Sequence, residues 1–168
     1  MNYKKIFLKK GKESSLERFH PWVFSGAVAY ADKNIAEGEI VEVYTANKEF
    51  IAVGHFQIGS IAVRVLSFDQ QEINHDFWVK RLSAAYQMRK DLGLDYTPEH
   101  SSFRLVHGEG DFLPGLIVDF YGSTAVMQAH SVGMFRAKKL ISDALQKVYG
   151  SELKAVYDKS SGTAPFKA

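Results

Sequence analysis

Cysteine is absent from the chain, which excludes disulfides, thiolate metal sites and any mechanism built on a cysteine nucleophile within it. Long hydrophobic runs are absent as well. The opening MNYKKIFLKKGK is interrupted by lysines before an apolar stretch of signal-peptide length can form, and nothing later approaches the ~20 apolar residues that span a bilayer. The expectation is a cytoplasmic protein with no membrane partner. The six histidines (His20, His55, His75, His100, His107 and His130) include no pair at i, i+4 spacing, so a helical metal pair is excluded. A Gly-x-Ser-x-Gly nucleophile elbow is missing. A net charge of +2 is too small to indicate nucleic acid by itself.

What is present is a foldable chain of 168 residues, 46% hydrophobic, with 12 Phe, 8 Tyr and 2 Trp to offset the entropy of ordering. Its charge is uneven. Residues 1–20 set six cations (Lys4, Lys5, Lys9, Lys10, Lys12 and Arg18) against Glu13 and Glu17, a local +4, whereas residues 31–49 carry a local −3.

The pattern predicts an α+β fold in two parts. Residues 1–72 hold short β-branched runs at Lys5–Leu8, Ile40–Tyr44, Phe50–Gly54 and Ile61–Leu66, punctuated by turn formers, which suits a small and mostly antiparallel β-barrel or sandwich. From Asn74, a helix-capping residue, the period becomes helical over His75–Leu92, with Trp78, Leu82, Ala85 and Arg89 on one stripe. Three strands follow a polar stretch over Asp95–Ser102. They span Phe103–His107, Gly115–Phe120 and Thr124–Ala129, the last two joined at Tyr121-Gly122-Ser123. A helix over Gly133–Tyr149 and a strand over Leu153–Tyr157 complete a central α/β domain at 73–158. Residues 159–168 have the composition of a connector.

Two constellations stand out. Arg18-Phe19-His20-Pro21-Trp22-Val23-Phe24 places cations beside an aromatic ring on a segment stiffened by Pro21; charge meets phosphate and a ring stacks on an unpaired base. Val23 and Phe24 are expected in the core, with Trp22 open between core and surface. Gly108 to Gly115 is glycine-rich, yet Leu113 and a following strand rule out a dinucleotide loop, and Glu109, Asp111 and Asp119 lack calcium-loop spacing.

Three stretches carry a resemblance: RFHPWVF (Arg18–Phe24), GEIVEVYTANKEFIAVGHFQIGSIAVRVLSF (Gly38–Phe68) and RLVHGEGDFLPGLIVDFYG (Arg104–Gly122). Together they resemble RNA methyltransferases that carry an N-terminal PUA domain and a central α/β domain ahead of a Rossmann-like methyltransferase domain. Departures are Phe112, where relatives often have glycine, and Phe120, where a basic residue is common and a phosphate contact would be weakened. The resemblance implies a PUA-like RNA-binding domain and a parent enzyme that uses S-adenosylmethionine on RNA, with cytosine C5 of 23S ribosomal RNA as the target.

It also implies RNA contacts from Lys9, Lys12, Arg18, His20 and Trp22, extended by Lys80, Arg81 and Arg89, and a loop of Glu109, Asp111, Gly115 and Asp119 facing a catalytic cleft. C5 methylation uses a thiolate that this chain lacks, so its own expected role is to bind RNA and position a C-terminal catalytic domain beyond residue 168. No catalytic residue and no bound cofactor are expected within it. The alternative is a stand-alone, non-enzymatic RNA-binding or ribosome-associated module.

Overall fold

The computed structural model describes residues 2–94 and 102–163. Residues 95–101 of the polar stretch, with His100, and residues 164–168 of the expected connector lie outside the described residues. The chain divides into two compact units, Met1–Glu72 and Ile73–Ala168.

In the first unit, β1 (Lys4–Leu8) leads to a one-turn helix α1 (Ser14–Glu17) and then to β2 (Trp22–Phe24), β3 (Val28–Ala31), β4 (Ile40–Tyr44), β5 (Phe50–Phe56) and β6 (Ile61–Ser67). They form one curled sheet in the order β2-β6-β5-β4-β1-β3, a half-barrel whose edges are β2 and β3. The pairing is antiparallel except between β1 and β4, which run parallel. Alternation explains the buried face. Ile6 and Leu8, Val41 and Val43, and Val63 and Val65 each sit two apart, and all six are buried with Leu16 of α1 and Val23 of β2. β2 and β3 give little signal because three and four residues are too few to display an alternation.

A buried histidine tunes this unit to pH. His55 on β5 is 3% exposed, and burial, helped by the nearby positive charge of Arg64, pushes its pKa down to about 4. The unfolded chain binds a proton near pH 6.5 that the folded chain refuses. Stability should therefore be unaffected above about pH 6.5 and fall as pH drops from there toward 4, by up to ~1.4 kcal/mol per pH unit. Urea titrations of the wild type and His55→Leu at pH 7 and pH 5 test this; equal pH slopes in both would assign the loss to other groups.

The second unit begins with α2 (His75–Asp91) and continues through β7 (Ser102–His107), β8 (Leu116–Tyr121), β9 (Thr124–Ala129), α3 (Val132–Tyr149) and β10 (Ala155–Asp158). Asn74 caps α2 by accepting from the Phe77 N–H at 3.1 Å, and Ser131 caps α3 by accepting from Met134 at 3.3 Å. The sheet order is β10-β9-β8-β7. β7, β8 and β9 are an antiparallel meander, and β10 runs parallel to β9 because α3 carries the chain back across the sheet. α2 and α3 pack against each other, α2 also against β7 and α3 against β9.

Residues 160–163, expected at the start of a connector, belong to this unit. Ser160 is fully buried and its hydroxyl accepts from the Ala129 N–H at 3.0 Å, while the Thr163 hydroxyl donates to the Ala129 carbonyl at 3.0 Å. A serine-rich composition says nothing about such a docking partner.

Candidate nucleic-acid interface

The segment between β1 and β2 is built around local backbone bonds. The Lys12 N–H closes a turn on the Lys9 carbonyl at 3.1 Å, and the amides of Phe19 and His20 return to Leu16 and Ser15 of α1. Leu16 is buried, so the short helix is pinned from below while Lys9, Lys12, Arg18 and His20 face outward. The Lys9 ammonium donates to the Gly26 carbonyl at 2.9 Å, which holds the β1 end against the segment that follows β2.

His20, Trp22 and Phe24 gather into one aromatic group. Ring centroids are 5.6 Å apart for His20 and Trp22, 6.1 Å for His20 and Phe24, and 6.2 Å for Trp22 and Phe24. Trp22 is half-buried. Phe24, expected in the core, is 47% exposed. The reason is the strand period of two, which sends Val23 inward and places Trp22 and Phe24 on the other face. His20 also differs from a plain cation: its Nδ1 accepts the Trp22 N–H at 3.2 Å, so in this arrangement Nε2 carries the ring proton and is the available donor. Phe19 is a further exposed ring, held at φ 60° and perpendicular to the Phe68 ring, with centroids 5.2 Å apart. A phenylalanine in the left-handed region is uncommon, and no sequence period announces it.

In the second unit the expected residues have diverse roles. Lys80 is exposed. Arg81 lies over the rings of Phe77 and Phe112, at 5.4 and 5.6 Å, and Phe112 is 50% exposed in the left-handed conformation, φ 56°. Arg89 is committed inward. Its two terminal nitrogens donate to the Asp111 carboxylate at 2.5 and 2.7 Å, its Nε donates to the Arg104 carbonyl at 3.1 Å, and the Asp111 side chain is 2% exposed.

The Glu109 to Gly115 loop is thus tethered to α2 through Asp111, which also accepts the His107 N–H at 2.6 Å, while Glu109 remains exposed. Asp119 is bidentate to Arg104, at 2.7 and 3.1 Å. Gly115 has φ +87°, and a Cβ there would come within 2.9 Å of the Ser131 hydroxyl that caps α3, so glycine is required. Phe120 is buried, its ring stacked on Phe103 at 5.3 Å.

Comparison with known proteins assigns the first unit. Residues 6–68 match the PUA-like domain family. Across the whole chain, the ribosomal RNA large subunit methyltransferase I of Erwinia tasmaniensis is 40% identical over 158 residues, and that of an Escherichia coli strain 38% over 162. Each alignment covers 93% of this chain and 39% of the relative, so the chain spans well under half the length of the curated relatives it matches. A Streptococcus mutans protein described as a SAM-dependent methyltransferase shares the fold, with a TM-score of 0.76 at 18% identity over 92% of this chain and 40% of its own. A second solved chain, described as a methyltransferase complexed with SAH, gives 0.76 at 17% identity over 95% of this chain and 41% of its own.

Among the described residues, the glycine-rich turn of the second unit does not fit S-adenosylmethionine. The glycine-rich Gly108–Gly115 turn runs into strand β8 rather than a helix, and its Asp111 carboxylate is already filled by Arg89. Among the described residues no three His, Asp or Glu side chains converge to hold a metal, and Asp111 and Asp119 each spend their oxygens on an arginine.

Proposed function

We propose that this chain is the RNA-holding part of a ribosomal RNA methyltransferase, with the PUA-like unit gripping the substrate and the second unit positioning a catalytic domain. The observation that carries the reading is the aromatic group of exposed His20, half-buried Trp22 and exposed Phe24, in the same stretch of chain as the outward-facing Lys9, Lys12 and Arg18. It combines rings for unpaired bases with cations for phosphate, at ~1–3 kcal/mol per stacked base. The whole protein would methylate cytosine C5 of the large-subunit RNA in the cytoplasm with S-adenosylmethionine, a cofactor bound by residues other than those described.

The test is the salt dependence of RNA affinity. A single-stranded RNA titrated by fluorescence anisotropy across a series of salt concentrations should show a log–log slope shallower by roughly 0.7 for each of Lys9→Ala and Lys12→Ala. An unchanged slope removes these lysines from the interface. Trp22→Ala should instead weaken binding at every salt concentration with the slope preserved, because stacking releases no counterions.

A further inference from the structure

The second unit contains a cavity of about 330 Å³ lined by Tyr86 and Lys90 of α2, Phe120, the β8–β9 turn, Tyr149 at the end of α3, and Glu152. Its size is at the low end of the roughly 300–1,000 Å³ typical of ligand sites, enough for one small planar molecule. The walls are aromatic. Tyr149 stacks on Phe120 with ring centroids 4.3 Å apart and a 29° tilt, and meets Tyr86 at 4.7 Å. Tyr149 is 7% exposed, and its hydroxyl is enclosed with no hydrogen-bond partner among the described residues.

That hydroxyl is anomalous. An unmet buried donor costs free energy, and a phenylalanine would supply the same ring without it. Burial, with the neighbouring Tyr86 and Glu152, pushes the phenol well above its usual range, so it stays a neutral donor at any physiological pH. Two charges of opposite sign line the cavity. Lys90, in the last turn of α2, can meet a phosphate, and a carboxylate such as Glu152 accepts from an exocyclic amine of a base but repels a carbonyl in the same place.

We propose that this cavity receives a single unpaired, amino-bearing nucleobase with its adjoining phosphate, the Tyr149 hydroxyl donating to the base, Glu152 accepting from its amine and Lys90 meeting the phosphate. The inference rests on the RNA-binding role proposed above and adds a second contact in the second unit. The base arrives either as a free nucleotide or within an RNA strand.

The experiment titrates the full chain with cytidine 5′-monophosphate, uridine 5′-monophosphate and a short single-stranded oligocytidine, read by amide chemical shifts. Cytidine monophosphate or the oligonucleotide should shift Gly122, Ser123 and Glu152, with uridine monophosphate weaker. Tyr149→Phe should reduce that binding roughly tenfold, the worth of one hydrogen bond to a buried group, while leaving the melting temperature equal or higher. A response to the oligonucleotide alone identifies a strand as the source; a response to the mononucleotide alone identifies a free nucleotide.

Silence of these amides toward both cytidine ligands overturns the proposal, as does undiminished binding by Tyr149→Phe or a melting temperature lowered by the loss of the hydroxyl. Equal response to the uridine ligand overturns the role of Glu152. If Lys9→Ala and Lys12→Ala weaken RNA while Tyr149→Phe does not, the cavity assignment fails and the PUA-like interface stands.

Discussion

Asp111→Asn should destabilise the second unit by about 3–5 kcal/mol, the cost of breaking a buried ion pair by removing one partner. The carboxylate accepts three hydrogen bonds, two from Arg89 and one from the His107 backbone, at 2.5, 2.7 and 2.6 Å. Asparagine keeps the shape but loses the charge and turns one acceptor into a donor. The Arg89 guanidinium, with its side chain only 11% exposed, is then left without its counter-charge. The pair itself need not stabilise the fold, since two buried ions pay a desolvation cost that apolar residues avoid.

The prediction is therefore asymmetric: the single variant is far worse than Arg89→Met combined with Asp111→Leu. The two tryptophans allow a clean readout, because Trp22 lies in the first unit and Trp78, 1% exposed, in the second. In a Trp22→Phe background, urea unfolding followed by Trp78 fluorescence reports the second unit. A loss under ~1 kcal/mol would show that the tether between the Gly108–Gly115 turn and α2 is dispensable.

Gly54→Ala should cost the first unit about 3 kcal/mol, the upper part of the range for overpacking, with the second unit as an internal control. A Cβ at residue 54 would sit 2.8 Å from the Arg64 carbonyl carbon and 2.8 Å from the Val65 Cα, in addition to meeting the Arg64 oxygen. These are backbone atoms of the paired strand β6, so no rotamer change relieves the contact. The β5–β6 register also shifts between Val53 and Gly54, a bulge that brings the two backbones together. Trp22 fluorescence in a Trp78→Phe background measures the loss, and RNA affinity should fall with the folded fraction. An unchanged midpoint would mean that the bulge can open at no cost.

Gly54 also shows how much was legible beforehand. It falls within a β-branched run that reads clearly as a strand, and nothing in that run distinguishes a glycine required by a close approach from one merely tolerated. By contrast, Asn74 and Gly122 announce their roles by position alone, a cap ahead of a helical period and a left-handed turn residue between two strands. Phe24 lies between these cases. The period of two could have placed it on the outward face beside Trp22, had the three-residue β2 been recognised as a strand.

Local information in the sequence determined the helices, most strands, the switch in period near residue 74 and the concentration of cations before β2, because propensity, capping and alternation depend on neighbours within a few residues. Tertiary structure alone decided the parallel pairing of β1 with β4, the capture of Arg89 by Asp111 across 22 positions, and the enclosure of the Tyr149 hydroxyl. Each depends on which distant groups meet after chain collapse. An arginine on a helix has the same composition whether it faces water, phosphate or a buried carboxylate, and only the fold supplies the partner.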